Sequence, residues 1–289
     1  MNLIIQNNTL TARFSLKGAE LQSLKNKNRE FIWDGKPAVW GKHAPVLFPI
    51  VGTLKNNQFE YDNKLYQLPR HGFARDMEFK VTDHTDTSIT FLLESNLKTL
   101  EVYPFHFKLY VIYIIKNNSL SIQYKVINEN PVPMYFSIGA HPAFALPQHF
   151  KEYKIEFGHD NPEYHLLDQD LLSDKTKQLL LHNKRLPLDY DLFKDDALVF
   201  LSIPSKTVTI IENLNPLLKV HFDDFPDLGI WTKPNAPFIC IEPWFGFADH
   251  TTASGLLKHK KGILTLNQHS FFESKFIIEI LNQPDNVNN

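Results

Sequence analysis

The sequence predicts an all-β protein, one large antiparallel sandwich with few short helices. Three observations point there. Short runs of β-branched and aromatic residues alternate with polar ones at period two, as half-buried strands do. Asn/Asp clusters and 18 prolines punctuate those runs and supply turns. Helical periodicity is thin throughout, and many short strands separated by turn signals fit a sandwich or barrel.

Taken along the chain, the first clear strand signal is Lys64-Leu65-Tyr66-Gln67-Leu68, followed by a run at 88–93. Leu109 to Ile115 is rich in β-formers, and Ser121-Ile122-Gln123-Tyr124-Lys125-Val126 alternates strictly. Asn117-Asn118-Ser119 lies between them, so residues 107–129 are expected to form a hairpin. Further strands are expected at 207–211, 217–222, 238–242 and 276–281. The best helix candidate is 170–182, where Leu171, Leu172, Leu179 and Leu180 are loosely spaced. The polar tail from Gln283 to Asn289 is expected to fray. No linker, charge block or fixed-period repeat divides the chain, which predicts a single domain over residues 1–289.

Composition excludes several function classes. Hydrophobic residues make up 43% of the 289, with 23 Phe, enough for a full-sized core and too apolar for disorder. A formal charge of -2 leaves no basic excess for phosphate backbones, so nucleic acid is not an expected partner. A single cysteine, Cys240, precludes an intrachain disulfide. The start Met1-Asn2-Leu3-Ile4-Ile5-Gln6-Asn7 has no basic n-region or long apolar run, so no signal peptide is expected. No stretch approaches the ~20 apolar residues of a membrane span. The expectation is a cytoplasmic protein with no membrane partner, present as a monomer or homodimer.

Three local patterns carry chemistry. In Pro69-Arg70-His71-Gly72-Phe73-Ala74-Arg75-Asp76, two arginines and a histidine surround a glycine that permits a tight path. This is either a hairpin end with its arginines paired to Asp76 and another carboxylate, or part of a site. In Met134-Tyr135-Phe136-Ser137-Ile138-Gly139-Ala140-His141-Pro142, a strand would place Met134, Phe136, Ile138 and Ala140 on one face. Tyr135, Ser137, Gly139 and His141 would share the other, small and polar enough for a groove floor, with Pro142 ending the ladder. In Pro237 to Gly246, Glu242 closes an apolar strand ahead of Pro243-Trp244-Phe245. A buried carboxylate is either tied to an arginine or backbone amides, or is a general base whose pKa burial raises. Trp244 either stacks on a sugar face or belongs to the core.

His71-Gly72-Phe73-Ala74-Arg75, Gly139-Ala140-His141-Pro142 and Ile241-Glu242-Pro243-Trp244 occur in this order, behind Trp40 to Pro45 and Leu47 to Gly52. Together they resemble the LacX-like branch of the aldose 1-epimerase family over nearly the full chain, from about Leu3 to Leu281. The resemblance implies a galactose mutarotase-like supersandwich of antiparallel sheets, with the sugar in an open groove on one sheet. It implies a cofactor-free isomerase of carbohydrate metabolism that interconverts the α and β anomers of a hexose such as galactose. By motif its acid falls on His141 and its base on Glu242. The histidine near the ring oxygen and anomeric carbon falls on His71, Arg75 holds sugar hydroxyls and Trp231 walls the pocket. One departure is Thr53, where relatives often carry arginine; that contact is either lost or moved, to Arg70 or Lys55. Burial is expected to raise the pKa of Glu242, and an ionised Glu242 to raise that of His141.

Three other readings compete. A non-catalytic carbohydrate-binding protein on the same fold would lack turnover. A hexose-6-phosphate 1-epimerase would clamp phosphate with Arg70, Arg75 and Lys55. A metal hydrolase would use His71, His141 and Glu242 as ligands, although no metal-ligand spacing is present and no metal is expected.

Overall fold

The computed structural model describes residues 3–281, so the expected fray from Gln283 to Asn289 lies outside the described residues. The 107–129 hairpin shows how the sequence builds this fold. Strands Phe107–Lys116 and Ser119–Asn128 pair antiparallel from Lys116↔Ser119 to Phe107↔Asn128. Asn117 takes a positive φ of 54° at the turn, which asparagine tolerates well. Leu109, Val111 and Tyr113 on one strand and Leu120, Ile122 and Tyr124 on the other are buried on a shared face. That is the period-two signal turned into packing.

This hairpin sits within a nine-stranded antiparallel sheet. Its order is Arg185–Pro187, Tyr153–Phe157, Thr207–Glu212, Asn215–His221, Phe271–Ile280, Ser119–Asn128, Phe107–Lys116, Ser88–Glu94 and Lys80–His84. A second, eight-stranded antiparallel sheet runs Leu171–Gln178, Glu163–Asp168, Leu198–Phe200, Asp227–Trp231, Phe238–Phe245, Ile138–Ala140 and Val46–Leu47. Ala143–Ala145 also pairs with Phe238–Phe245 in it. Residues from both sheets, among them Tyr124, Phe276, Ile239 and Ile241, join one apolar core. Helix is confined to short pieces; Leu97–Val102 is a single turn and a half, closed by an Asn96/Thr99 capping box. No helix among the described residues is long and apolar enough to cross a membrane.

Three expectations need correction. The helix at 170–182 is a strand, Leu171–Gln178, paired with Glu163–Asp168. Gln169 (φ 48°) and Asp170 (φ 68°) form the two-residue turn, a left-handed pair that polar residues accept. Leu180 is 76% exposed, so the leucines never form a common face. Second, residues 134–140 are two strands in two sheets. Met134–Phe136 pairs with Leu264–Leu266, and Ile138–Ala140 pairs with Val46–Leu47 and Phe238–Phe245. The chain crosses over at Ser137, so Tyr135 packs against Tyr61 and Phe105 away from the groove.

Third, Glu242 does not end its strand. Phe238–Phe245 continues through Pro243, which faces Leu228. On the other side the neighbouring chain is interrupted at His141-Pro142, between Ala140 and Ala143. Pro243 falls beside that gap, so its missing N–H costs no ladder bond. The same gap is what brings His141 alongside Glu242.

Candidate active site

Strand Phe238–Phe245 is buried on both faces. Ile239 and Ile241 enter the main core. Phe238 and Cys240 pack with Trp33, Ala143 and Ala236, and Trp244 packs with Leu47, Val51, Leu172 and Val199. Between these apolar clusters, on the same face by alternation, stands Glu242. Two glycines make room for Trp244 on the sheet. A Cβ at Gly139, its cross-strand partner on one side, would lie 2.5 Å from the indole, and one at Gly229, diagonal to it on the other side and opposite Glu242, 2.4 Å. The indole therefore lies across the strands and contributes to the floor of a cavity of about 610 Å³. That volume is in the usual range for a small-molecule site.

His141 and Glu242 meet on this floor. The Nε2 of His141 lies 3.3 Å from Oε2 of Glu242. His141 is 7% exposed and Glu242 1% exposed. The His141 ring stacks on Trp40 at 5.1 Å and meets Trp231 and His71 edge-on, both at 5.7 Å. Neither His141 Nδ1 nor Glu242 Oε2 makes a well-formed hydrogen bond. Buried polar atoms normally find partners, and these two border a cavity. Burial raises the Glu242 carboxyl well above the ordinary carboxylate range, only partly opposed by Arg70. Burial also lowers His141, to about 3, and Arg70 and Arg75 push the same way. The expected upward shift of His141 is thus reversed. It presumed an ionised Glu242, but the desolvation that disfavours imidazolium also disfavours carboxylate. Both shifts favour the uncharged form of each group, a pair with one proton and no net charge.

His71 comes from a tight turn in which His71 (φ 67°) and Gly72 (φ 69°) are both left-handed. A Cβ at Gly72 would sit 2.3 Å from the Phe48 carbonyl oxygen, which accepts from Phe73 and Ala74 N–H. The turn locks His71 to Gly52 in both directions. His71 N–H donates to Gly52 O at 2.8 Å, and Gly52 N–H donates to His71 Nδ1 at 3.1 Å. Arg70 Nε donates to His71 Nε2 at 3.3 Å, so an N–H group is aimed at each ring nitrogen. Two N–H groups that can only donate thus face the ring, which suits the neutral imidazole with its lone pair and disfavours imidazolium. Burial lowers the His71 pKa and favours the same neutral form.

Arg70 also donates to Asp170 at 3.0 Å and lies 3.5 Å from Asp196. Arg75 Nη2 donates to Arg70 O at 2.7 Å, and its Nε is 3.7 Å from Asp76, whose carboxyl Lys42 and Arg75 hold low against burial. Arg70, His71, Arg75, His141, Trp231 and Glu242 all line the one cavity. Lys55 does not: its backbone N–H is bound by Asp249. Thr53 contributes its carbonyl to Asp249 N–H, so of the two expected substitutes for a missing arginine only Arg70 reaches the cavity.

Sequence reasoning missed Trp40, Asp170 and Asp196 as lining residues. Trp40 stood in a quoted motif without a role. Asp170 was read as a helix start, and nothing near Asp196 signals its approach to Arg70.

The sequence model of a family described as Aldose 1-epimerase matches residues 1–255. The chromosomal protein LacX of Lactococcus lactis subsp. lactis is 34% identical, over 98% of this chain and all of the relative. A galactose mutarotase related enzyme from Lactobacillus acidophilus superposes with a TM-score of 0.94 at 37% identity, covering both chains fully. A galactose mutarotase-like protein from Lactobacillus casei gives 0.91 at 30% identity, over 97% of this chain and all of that one. The fold is galactose mutarotase-like, and the chain belongs to the aldose 1-epimerase family.

Proposed function

We propose that the protein is a mutarotase, interconverting the α and β anomers of a free hexose by general acid–base ring opening. The observation that carries this reading is the buried His141–Glu242 pair, with unpartnered polar atoms at the floor of a sugar-sized cavity. Opening the ring takes a proton from the C1 hydroxyl and delivers one to the ring oxygen. Rotation about C1–C2 and closure on the other face reverse both transfers. A pair holding one proton supplies an acid and a base together, and it is restored when the ring closes. Glu242 serves the C1 hydroxyl and His141 the ring oxygen; the resting proton reaches His141 across the 3.3 Å contact. Arg70 and the neutral His71, side by side on the cavity wall, bind sugar oxygens. Arg75 holds hydroxyls, and Trp40, Trp231 and Trp244 offer apolar faces to the ring's C–H surface. Only protons move, so the reaction itself requires no cofactor.

A free sugar is favoured over a 6-phosphate by the charges around Arg70. Asp170 and Asp196 already neutralise it, Lys55 does not line the cavity, and of the two lysines that do, Lys194 and Lys233, the second is tied to Val39 O. Following anomer exchange for free and 6-phosphorylated hexoses tests this. Faster exchange of free hexoses is expected. Acceleration of the phosphates alone would reassign the substrate, and binding without acceleration would make the protein a sugar carrier.

A further inference from the structure

The residue two before Glu242 on the same strand face is Cys240, the only cysteine in the chain. One donor atom each from His141, Cys240 and Glu242 lie within 4.8 Å of one another, and all three residues are buried. The thiol is free. His141 Nδ1 and Glu242 Oε2 have no hydrogen-bond partner. Neither proton transfer nor sugar binding uses the sulfur.

We propose that His141, Cys240 and Glu242 form a binding site for a thiophilic divalent cation of the Zn²⁺ or Cd²⁺ type, whose occupation switches the acid–base pair off. The donor set is one nitrogen, one sulfur and one carboxylate oxygen, which suits zinc and its congeners. Magnesium and calcium need six or more oxygens, and three mixed donors cannot supply them. Metal–ligand bonds of about 2.0–2.3 Å require the donors to close in by roughly an ångström, within reach of side-chain adjustment. Charge balances as well. The cation displaces the thiol proton and the single proton shared by His141 and Glu242. Two protons leave, and a 2+ ion meets thiolate, carboxylate and neutral imidazole. The product carries no net charge, which an apolar wall of Trp33, Ala143 and Phe238 accommodates. Arg70, the nearest guanidinium to Glu242 in effect, is already balanced by Asp170 and Asp196. His141 and Glu242 line the cavity and Cys240 lies beside them off it, so the ion and the sugar compete for the same two side chains.

The inhibitory half of this proposal rests on the mutarotase reading; the binding half does not, and a spectroscopic test separates them. Metal-stripped full-length protein is titrated with Cd²⁺, following the ultraviolet thiolate-to-cadmium charge-transfer band, which only Cys240 can produce. Saturation at one equivalent is expected. Glu242→Gln and His141→Ala, two independent variants, are expected to weaken Cd²⁺ binding roughly 10–100-fold or more. Mg²⁺ is expected to have no effect. In the activity assay Zn²⁺ should inhibit, EDTA should reverse the inhibition, and sugar should protect. No band at stoichiometric Cd²⁺, or a band with undiminished affinity in both variants, overturns the site. A band in a protein without mutarotase activity leaves the site standing and removes only its inhibitory role.

Discussion

Two buried acid–base pairs lie close in this molecule, and their difference separates site from scaffold. Asp249 and Lys260 are 4% and 7% exposed, as deeply placed as Glu242 and His141. Their hydrogen bonding is complete. Lys260 Nζ sits 3.2 Å from Asp249 Oδ1 and donates to Phe247 O. The other carboxylate oxygen accepts Lys55 N–H, Asp249 N–H donates to Thr53 O, and Asp249 O accepts Leu172 N–H. One ion pair thus ties the 246–253 segment to the loop carrying Gly52 and to the hairpin carrying Asp170. His141 and Glu242 instead keep unpartnered atoms beside a cavity. Satisfied burial holds the fold in place, whereas unsatisfied burial is kept for a ligand.

The largest expected break in this comparison is catalytic. Glu242→Gln and His141→Ala should each lower the rate ~10²–10⁴-fold while leaving a folded protein, because each removes one 3.3 Å contact of a pair that carries no net charge and so strands no buried ion. Circular dichroism and mutarotation rates on the same samples check this; near-normal turnover in either folded variant contradicts the assignment.

Next comes pH. His141 is lowered to about 3, so the pair takes a second proton only in acid. Glu242 is raised, so the first proton is lost only as pH climbs well past the carboxylate range. The rate, corrected for spontaneous mutarotation, should be flat across neutrality, with no acid limb near the ordinary imidazole value of about 6.5. The limbs belong to the pair together. A limb near that value would show that the imidazolium, not the neutral pair, is the resting form.

The scaffold pair should answer in stability. Lys260→Met strands a buried carboxylate and should cost about 3–5 kcal/mol, read by denaturant unfolding. Adding Asp249→Asn should recover part of it. A variant as stable as wild type but inactive would place Lys260 in the chemistry. The smallest effect is expected at the rim. Arg70, Asp170 and Asp196 are partly exposed, so Asp170→Asn should change sugar affinity by about 0.2–1 kcal/mol, at most about fivefold. A hundredfold rise in KM would make Asp170 a direct sugar ligand.

The contrast also marks what the sequence made legible. Strands such as Ser119–Asn128 were readable because one buried face writes a strict alternation. His71, His141 and Glu242 were readable from motif order, since each motif is a short local device. Long-range facts were not. The interruption at His141-Pro142 that lets Pro243 stay within its strand depends on a neighbour about a hundred residues away. The Asp170–Arg70 contact likewise spans 100 residues. The direction of the His141 shift needed the depth of burial of both partners, which neither local sequence encodes.

The central claim is that the unsatisfied pair turns a free hexose over. Its most direct test is the α–β exchange rate of free aldohexoses at anomeric equilibrium, measured by NMR magnetisation exchange with wild-type protein and with Glu242→Gln at equal concentration. For at least one free aldohexose, exchange is predicted to rise in proportion to wild-type protein and to stay near the spontaneous rate with Glu242→Gln. Spontaneous exchange in the presence of wild-type protein for every free aldohexose tried, or equal acceleration by both proteins, would contradict it.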